Sequence, residues 1–124
     1  MLNKVMLIGN LGADPELINA NTKQARCTFS LATSEMKKAQ DGSFERTPVW
    51  HNIVAFGKTA ETTARAVSKG RQVLVEGKLQ QKHWEDKNGN KHSSYEIIAN
   101  SIYPLGQNSA RTSDAGDDED AAAA

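Results

Sequence analysis

The chain has 124 residues, 38% hydrophobic and 24% charged, enough for one hydrophobic core but not two. No apolar run approaches the roughly 18–20 residues of a membrane-spanning helix, the apolar patch in MLNKVMLIGN is cut at Gly9 and reads as no signal peptide, and the single cysteine, Cys27, excludes an internal disulfide and fits a reducing, cytoplasmic setting. The formal net charge of zero hides a split: residues 1–113 hold all 15 Lys and Arg against 10 acids, whereas residues 114–124 hold 5 acids and no base, the asymmetry expected of a polyanion binder with an acidic tail.

In chain order, NKVMLIG (3–9) predicts a strand ended by glycine, and residues 10–23 are rich in turn formers, including Asp14-Pro15 and Asn19 to Asn21. Residues 24–34, QARCTFSLATS, alternate: Ala25, Cys27, Phe29 and Leu31 on a core face, Arg26, Thr28, Ser30 and Ala32 on the other. Cys27 is thereby expected to be a small buried hydrophobe. Residues 35–47, EMKKAQDGSFERT, read as a polar loop with Asp41-Gly42 as a hairpin signal, and a third strand is expected from Pro48 to Phe56. A helix is predicted over 59–69, with Thr59 as cap, Glu61 in the first turn, an apolar stripe of Ala60, Ala64 and Val67, and Gly70 as stop. The long segment 71–86 points Val73, Val75, Gly77 and Leu79 one way, and Gly77 suggests a bulge. Asn88-Gly89 turns the chain into a final strand over 91–104, whose arms should project beyond the barrel as a ribbon. From residue 106 the side chains cannot bury enough apolar surface to offset ordering, so residues 106–124 are expected to be a disordered acidic tail. Five strands with one helix between the third and fourth is the wiring of an all-β OB-fold, a Greek-key barrel, occupying residues 1–105.

The third strand raises the functional question. Trp50, Asn52, Val54 and Phe56 share one face, and Val49, His51, Ile53 and Ala55 the other, so two aromatics stand together on one face, either as core or as open rings for a flat ligand. Trp84 shares the non-core face of its strand with Lys78 and Lys82. Lys58 follows Phe56, Lys4 opens the first strand, Arg26 lies on the non-core face of the second, and Lys37 and Lys38 lie in the polar loop. Aromatics interleaved with cations suit an unpaired nucleic-acid strand, whose bases expose flat faces for stacking and whose phosphates attract Lys and Arg. Tyr95 and Tyr103, eight residues apart, should point to one face and pack. His83 and His92 lack a third ligand, so neither metal nor cofactor is expected. No nucleophile elbow, phosphate loop or metal-spaced set points to catalysis. A nuclease on a small barrel would need acids clustered on the basic face, where Glu76 alone stands beside Lys78 and Lys82. An RNA-binding or replication-restart barrel is the competing reading, and a pure protein-interaction module a third.

The segments MLNKVMLIGNLGADPEL, TFSLATSE, VWHNIVAFGKTAE and KGRQVLVEGKLQQKHWEDKNGN together closely resemble the bacterial-type single-stranded DNA-binding protein family over about residues 1–105. The resemblance implies a homotetramer that wraps single-stranded DNA. Its stacking aromatics fall on Trp50, Phe56 and Trp84, its basic contacts on Lys4, Lys58, Lys69 and Lys82, and its subunit-contact histidine on His51. It implies DNA replication, repair and recombination as the setting, with replication and repair proteins met through the tail acids Asp117, Asp118, Glu119 and Asp120. Three features depart from the pattern. Met36, Lys37 and Lys38 stand where a further tryptophan is common, Asn52 where a base is common, and four alanines where an apolar tip usually ends the tail.

Overall fold

Every strand marked by alternation is present, and the polar stretch after the second is strand as well. The computed structural model describes residues 1–106; the expected disorder of the tail, with Asp117, Asp118, Glu119 and Asp120, falls outside the described residues. In chain order the elements are β1 (Val5–Leu11), β2 (Glu16–Ile18), β3 (Arg26–Lys38), β4 (Phe44–Phe56), α1 (Gly57–Ala66), β5 (Gln72–Glu85) and β6 (Lys91–Leu105). The sheet runs β1-β5-β6-β4-β3-β2, and the end of β1 also pairs with β3 at Asn10↔Ala32 and Leu11↔Leu31. That second pairing closes β1, β5, β6, β4 and β3 into a five-stranded OB-fold barrel, with β2 added at the edge of β3. The helix therefore lies between β4 and β5, the third and fourth strands of the barrel.

Burial follows the predicted parity inside the barrel. Cys27, Leu31, Ile53, Val73 and Val75 are fully enclosed, and Phe29 and Ile97 complete the centre. Each large aliphatic buried in this way contributes about 1.5–3 kcal/mol over leaving it in water. Burial pushes the Cys27 thiol above its ordinary range. Leu79 is a correction: it stays 43% exposed, because β5 has already left the barrel at that point.

The segment 35–47 is not a loop. β3 and β4 pair without a break from Arg26↔Phe56 to Lys38↔Phe44, so both continue outward as a two-stranded ribbon. Pro48 sits within β4 rather than at its start; in the ribbon β4 has only β3 as neighbour, so a missing N–H costs no ladder bond on the open edge. At the tip Ala39 N–H donates to the Ser43 carbonyl (2.6 Å) and Asp41 Oδ1 accepts from Ser43 N–H (2.9 Å). The β5–β6 ribbon ends alike: Asp86 N–H donates to the Asn90 carbonyl (2.9 Å), and Asp86 Oδ1 accepts from the N–H groups of Asn88 and Asn90.

Gly77 marks the expected irregularity, although the extra residue sits opposite it. Glu76 pairs with Ser101 and Gly77 with Ala99, leaving Asn100 unpaired on β6. A Cβ on Gly77 would collide with the Ile98 carbonyl and stand 2.9 Å from the Ala99 Cα. The bulge reverses parity along β6, so Tyr95 shares the face of Ile97 and Ala99, whereas Tyr103 points outward beside Ile102, which packs on the core. The expectation of one shared face for the two tyrosines fails for this reason.

The helix also begins earlier than its sequence signals. β4 runs directly into it at Gly57, whose N–H donates to the Ala25 carbonyl (2.8 Å), so the start is held by the barrel and Thr59 makes no cap. Ala60, Thr63 and Val67 are buried, and Val67 turns extended to end the helix before Gly70.

Candidate nucleic-acid interface

Residues directly opposite in an antiparallel ladder share a face. The outer face of β3–β4 therefore carries four facing pairs: Arg26 with Phe56, Thr28 with Val54, Ser30 with Asn52, and Ala32 with Trp50. The Trp50 and Phe56 rings lie on this solvent face, 58% and 51% exposed, while Ile53 and Ala55 between them fill the barrel. Trp50 reaches across β3 onto the end of β1. A Cβ on Gly12 would stand 2.5 Å from Trp50 Cζ3 and 2.8 Å from Ser30 Oγ, so the indole rests against bare backbone.

Beside this face the β5–β6 ribbon borders an open groove of about 420 Å³, lined by the cations Arg26 and Lys82, the acids Asp14, Glu16 and Glu96, and Ser30, Asn52 and Tyr95 among others. Arg26 Nε is shielded from solvent and has no hydrogen-bond partner among the described residues. A shielded N–H without an acceptor is rare in folded proteins and costs free energy until something accepts from it.

Trp84 stands on the β5–β6 ribbon, 46% exposed. Opposite it in the ladder is His92, whose ring lies 5.4 Å away centroid to centroid and 22° from parallel. His92 Nε2 meets Asp86 Oδ2 at 2.8 Å. The Asp86 carboxyl is held below its ordinary range, first by His92, then by the Asn90 and Asn88 amides. One face of the Trp84 indole is thus covered by an imidazole that the turn residue Asp86 steadies. Among the described residues no three His, Cys, Asp or Glu side chains gather as a metal site.

The expected cations divide. Arg26 and Lys82 line the groove. Lys58 is in the first turn of α1 next to Phe56, by a shallow depression with Asn21 and Lys23. Lys69 is exposed at the loop before β5, where its N–H donates to Asp14 Oδ1 (2.8 Å). Lys4 lies 3.9 Å from Glu76, and it and Lys78 do not line the groove. Lys37 and Lys38, placed by sequence in one loop, occupy adjacent strand positions and so face opposite ways; Lys38 is on the Trp50 face. His51 is half-buried on the opposite face, its Nε2 2.9 Å from Thr33 Oγ1. Tyr95 and His92 are site residues that sequence reasoning passed over. Tyr95 follows the plain alternation of Ile97 and Ala99, which reads as packing and gives no sign of the groove, and no spacing signals the stacking of His92 on Trp84.

A closed OB-fold barrel with open aromatics and cations along one outer face defines a class of nucleic-acid-binding barrels. The chain belongs to the single-strand binding protein family, whose family model matches residues 2–105. It is 45% identical over 106 residues to single-stranded DNA-binding protein 1 of Chlorobaculum tepidum, covering 85% of this chain and 65% of that protein. It is 42% identical over 107 residues to single-stranded DNA-binding protein 1 of Xylella fastidiosa, covering 86% of this chain and 79% of the relative. This chain thus spans about two thirds to four fifths of these two relatives' lengths. Among solved structures, a Plasmodium falciparum SSB complexed with single-stranded DNA superposes with a TM-score of 0.74 at 30% identity, covering 86% of this chain and 97% of that one. A deletion mutant of the single-stranded DNA-binding protein of Thermus aquaticus gives 0.71 at 30% identity, covering 85% and 51%.

Proposed function

We propose that this protein coats single-stranded DNA with little sequence preference and keeps exposed strands from pairing or being cut during replication, repair and recombination. The observation that carries the reading is the outer face of β3–β4, where Trp50 and Phe56 lie open while the same strand's alternate residues fill the barrel. Bases stack on the two rings and on the free face of Trp84, each contributing roughly 1–3 kcal/mol. Arg26, Lys38, Lys58 and Lys82 meet phosphates, and the unpartnered Arg26 Nε gains an acceptor when DNA enters the groove. Lys4 and Lys78 have a smaller part, since Glu76 stands beside Lys4. Duplex DNA hides its base faces and fits this surface poorly. The protein acts by binding and not by catalysis, in the cytoplasm on the nucleoid; no helix among the described residues is long and apolar enough to cross a membrane. It assembles as a homotetramer, with His51 and the exposed apolar outer face of β1 between copies.

The test is titration of tryptophan emission with oligo-dT at two salt concentrations. Quenching is expected, with affinity falling as salt rises at a log–log slope of about −0.7 per phosphate neutralised. Absence of quenching, preference for an RNA oligonucleotide of the same sequence, or cleavage of labelled DNA with magnesium would each overturn the reading.

A further inference from the structure

The unbroken register of β3–β4 decides which way each ribbon side chain faces. Counting outward from Trp50, the same face carries Pro48, Arg46 and Phe44 on β4, and Ser34, Met36 and Lys38 on β3. Phe44 is 65% exposed and Met36 60%, and Lys38 lies directly opposite Phe44, as Met36 does Arg46. The other face of the ribbon holds Glu35, Lys37, Glu45 and Thr47. Both acids of the ribbon strands are thus on the back with one lysine, and the front carries two cations, an aromatic ring and a thioether with no acid. A ribbon that only needed to be solvated would have no reason to separate its charges in this way, or to leave a phenyl ring open at its end.

We propose that Phe44 is a further stacking platform for an unpaired nucleotide, with Lys38 and Arg46 meeting the adjacent phosphates, so that the single-strand track runs from Phe56 past Trp50 to the tip of the β3–β4 ribbon. Phe44 stands six residues from Trp50, about 20 Å along an extended strand. Trp50 is six residues from Phe56 on the same face, so the aromatics recur at equal intervals along one strand.

The inference rests on the single-strand reading above, and the test separates the two. Oligo-dT long enough to pass Trp50 is titrated into the full chain and into Phe44→Ala and Phe44→Leu, with sedimentation and thermal midpoint measured alongside. Both variants are expected to keep the assembly and midpoint and to lose roughly 5- to 150-fold in affinity, the range of one stacked base. Phe44→Trp in a Trp50→Phe, Trp84→Phe background is expected to bind, with its single indole quenched by DNA. If the unaltered chain shows no quenching, the underlying reading fails. If it is quenched but Phe44→Ala or Phe44→Leu binds within about twofold of it, or the indole at 44 keeps its emission in the bound complex, the platform is refuted while that reading stands. A change of assembly state with affinity unchanged also refutes it, since Phe44 would then contact another copy.

Discussion

Gly12 has no side chain, and Trp50 lies where one would stand. The pose of the indole is therefore set from below as much as by its own strand. Gly12→Ala is expected to push the ring off β1 and weaken oligo-dT binding, up to the roughly 1–3 kcal/mol expected for Trp50→Ala, while the core residues keep their packing. In a Trp50→Ala background the same change is expected to cost nothing further, so a double-mutant cycle by fluorescence or anisotropy titration isolates the coupling. Additive losses would mean that Gly12 acts elsewhere. Alternation put Trp50 and Phe56 on one face but left open whether that face was core, and only the resemblance pointed it outward. Neither could show the rest against Gly12, which joins residues far apart in sequence.

At the scale of elements, the two ribbons differ in how far the sequence exposed them. The β5–β6 pair was readable because Asn88-Gly89 separates two long segments, one rooted in Val73 and Val75 and the other in Ile97. Residues 35–47 hid the outer β3–β4 ribbon because neither of its faces is buried, and period-2 alternation shows only where one face meets a core. Both loops use an aspartate carboxylate to accept backbone N–H groups, which gives each a pH dependence. Asp86 has a folded pKa below its unfolded one, chiefly through His92. Its contribution is therefore fully present above the unfolded value and is lost as pH falls through the folded one. Amide exchange at Asn88 and Asn90, referred to the barrel amides, is expected to speed up as pH falls below the ordinary carboxylate range, and Asp86→Asn is expected to flatten that change. Equal protection of both amides across the range would show that the carboxylate does not hold the turn.

For the molecule as a whole, the barrel leaves Met6 and Ile8 57% and 55% exposed, side by side on the outer face of β1, with Tyr103 48% exposed on β6. So small a barrel gains by covering such a face with another copy, at about 1.5–3 kcal/mol for each large side chain buried. Met6→Glu with Ile8→Glu is expected to leave each barrel folded by circular dichroism but to lower the sedimentation coefficient toward that of a single chain; an unchanged coefficient would place the contact elsewhere. Barrel topology was legible from strand count, helix position and Gly77, whereas β2 is three residues long and too short to leave a pattern. β4 belongs to both halves of the molecule, with Ile53 and Ala55 sealed in the barrel and Trp50, Asn52 and Phe56 exposed on the outer face, without a bulge along its pairing with β3. Length change in the outer ribbon is therefore quantised. Removing one residue of β4 between Arg46 and Trp50 would swing Phe44 and Arg46 round to the acidic side, whereas removing two would shorten the track and preserve its chemistry.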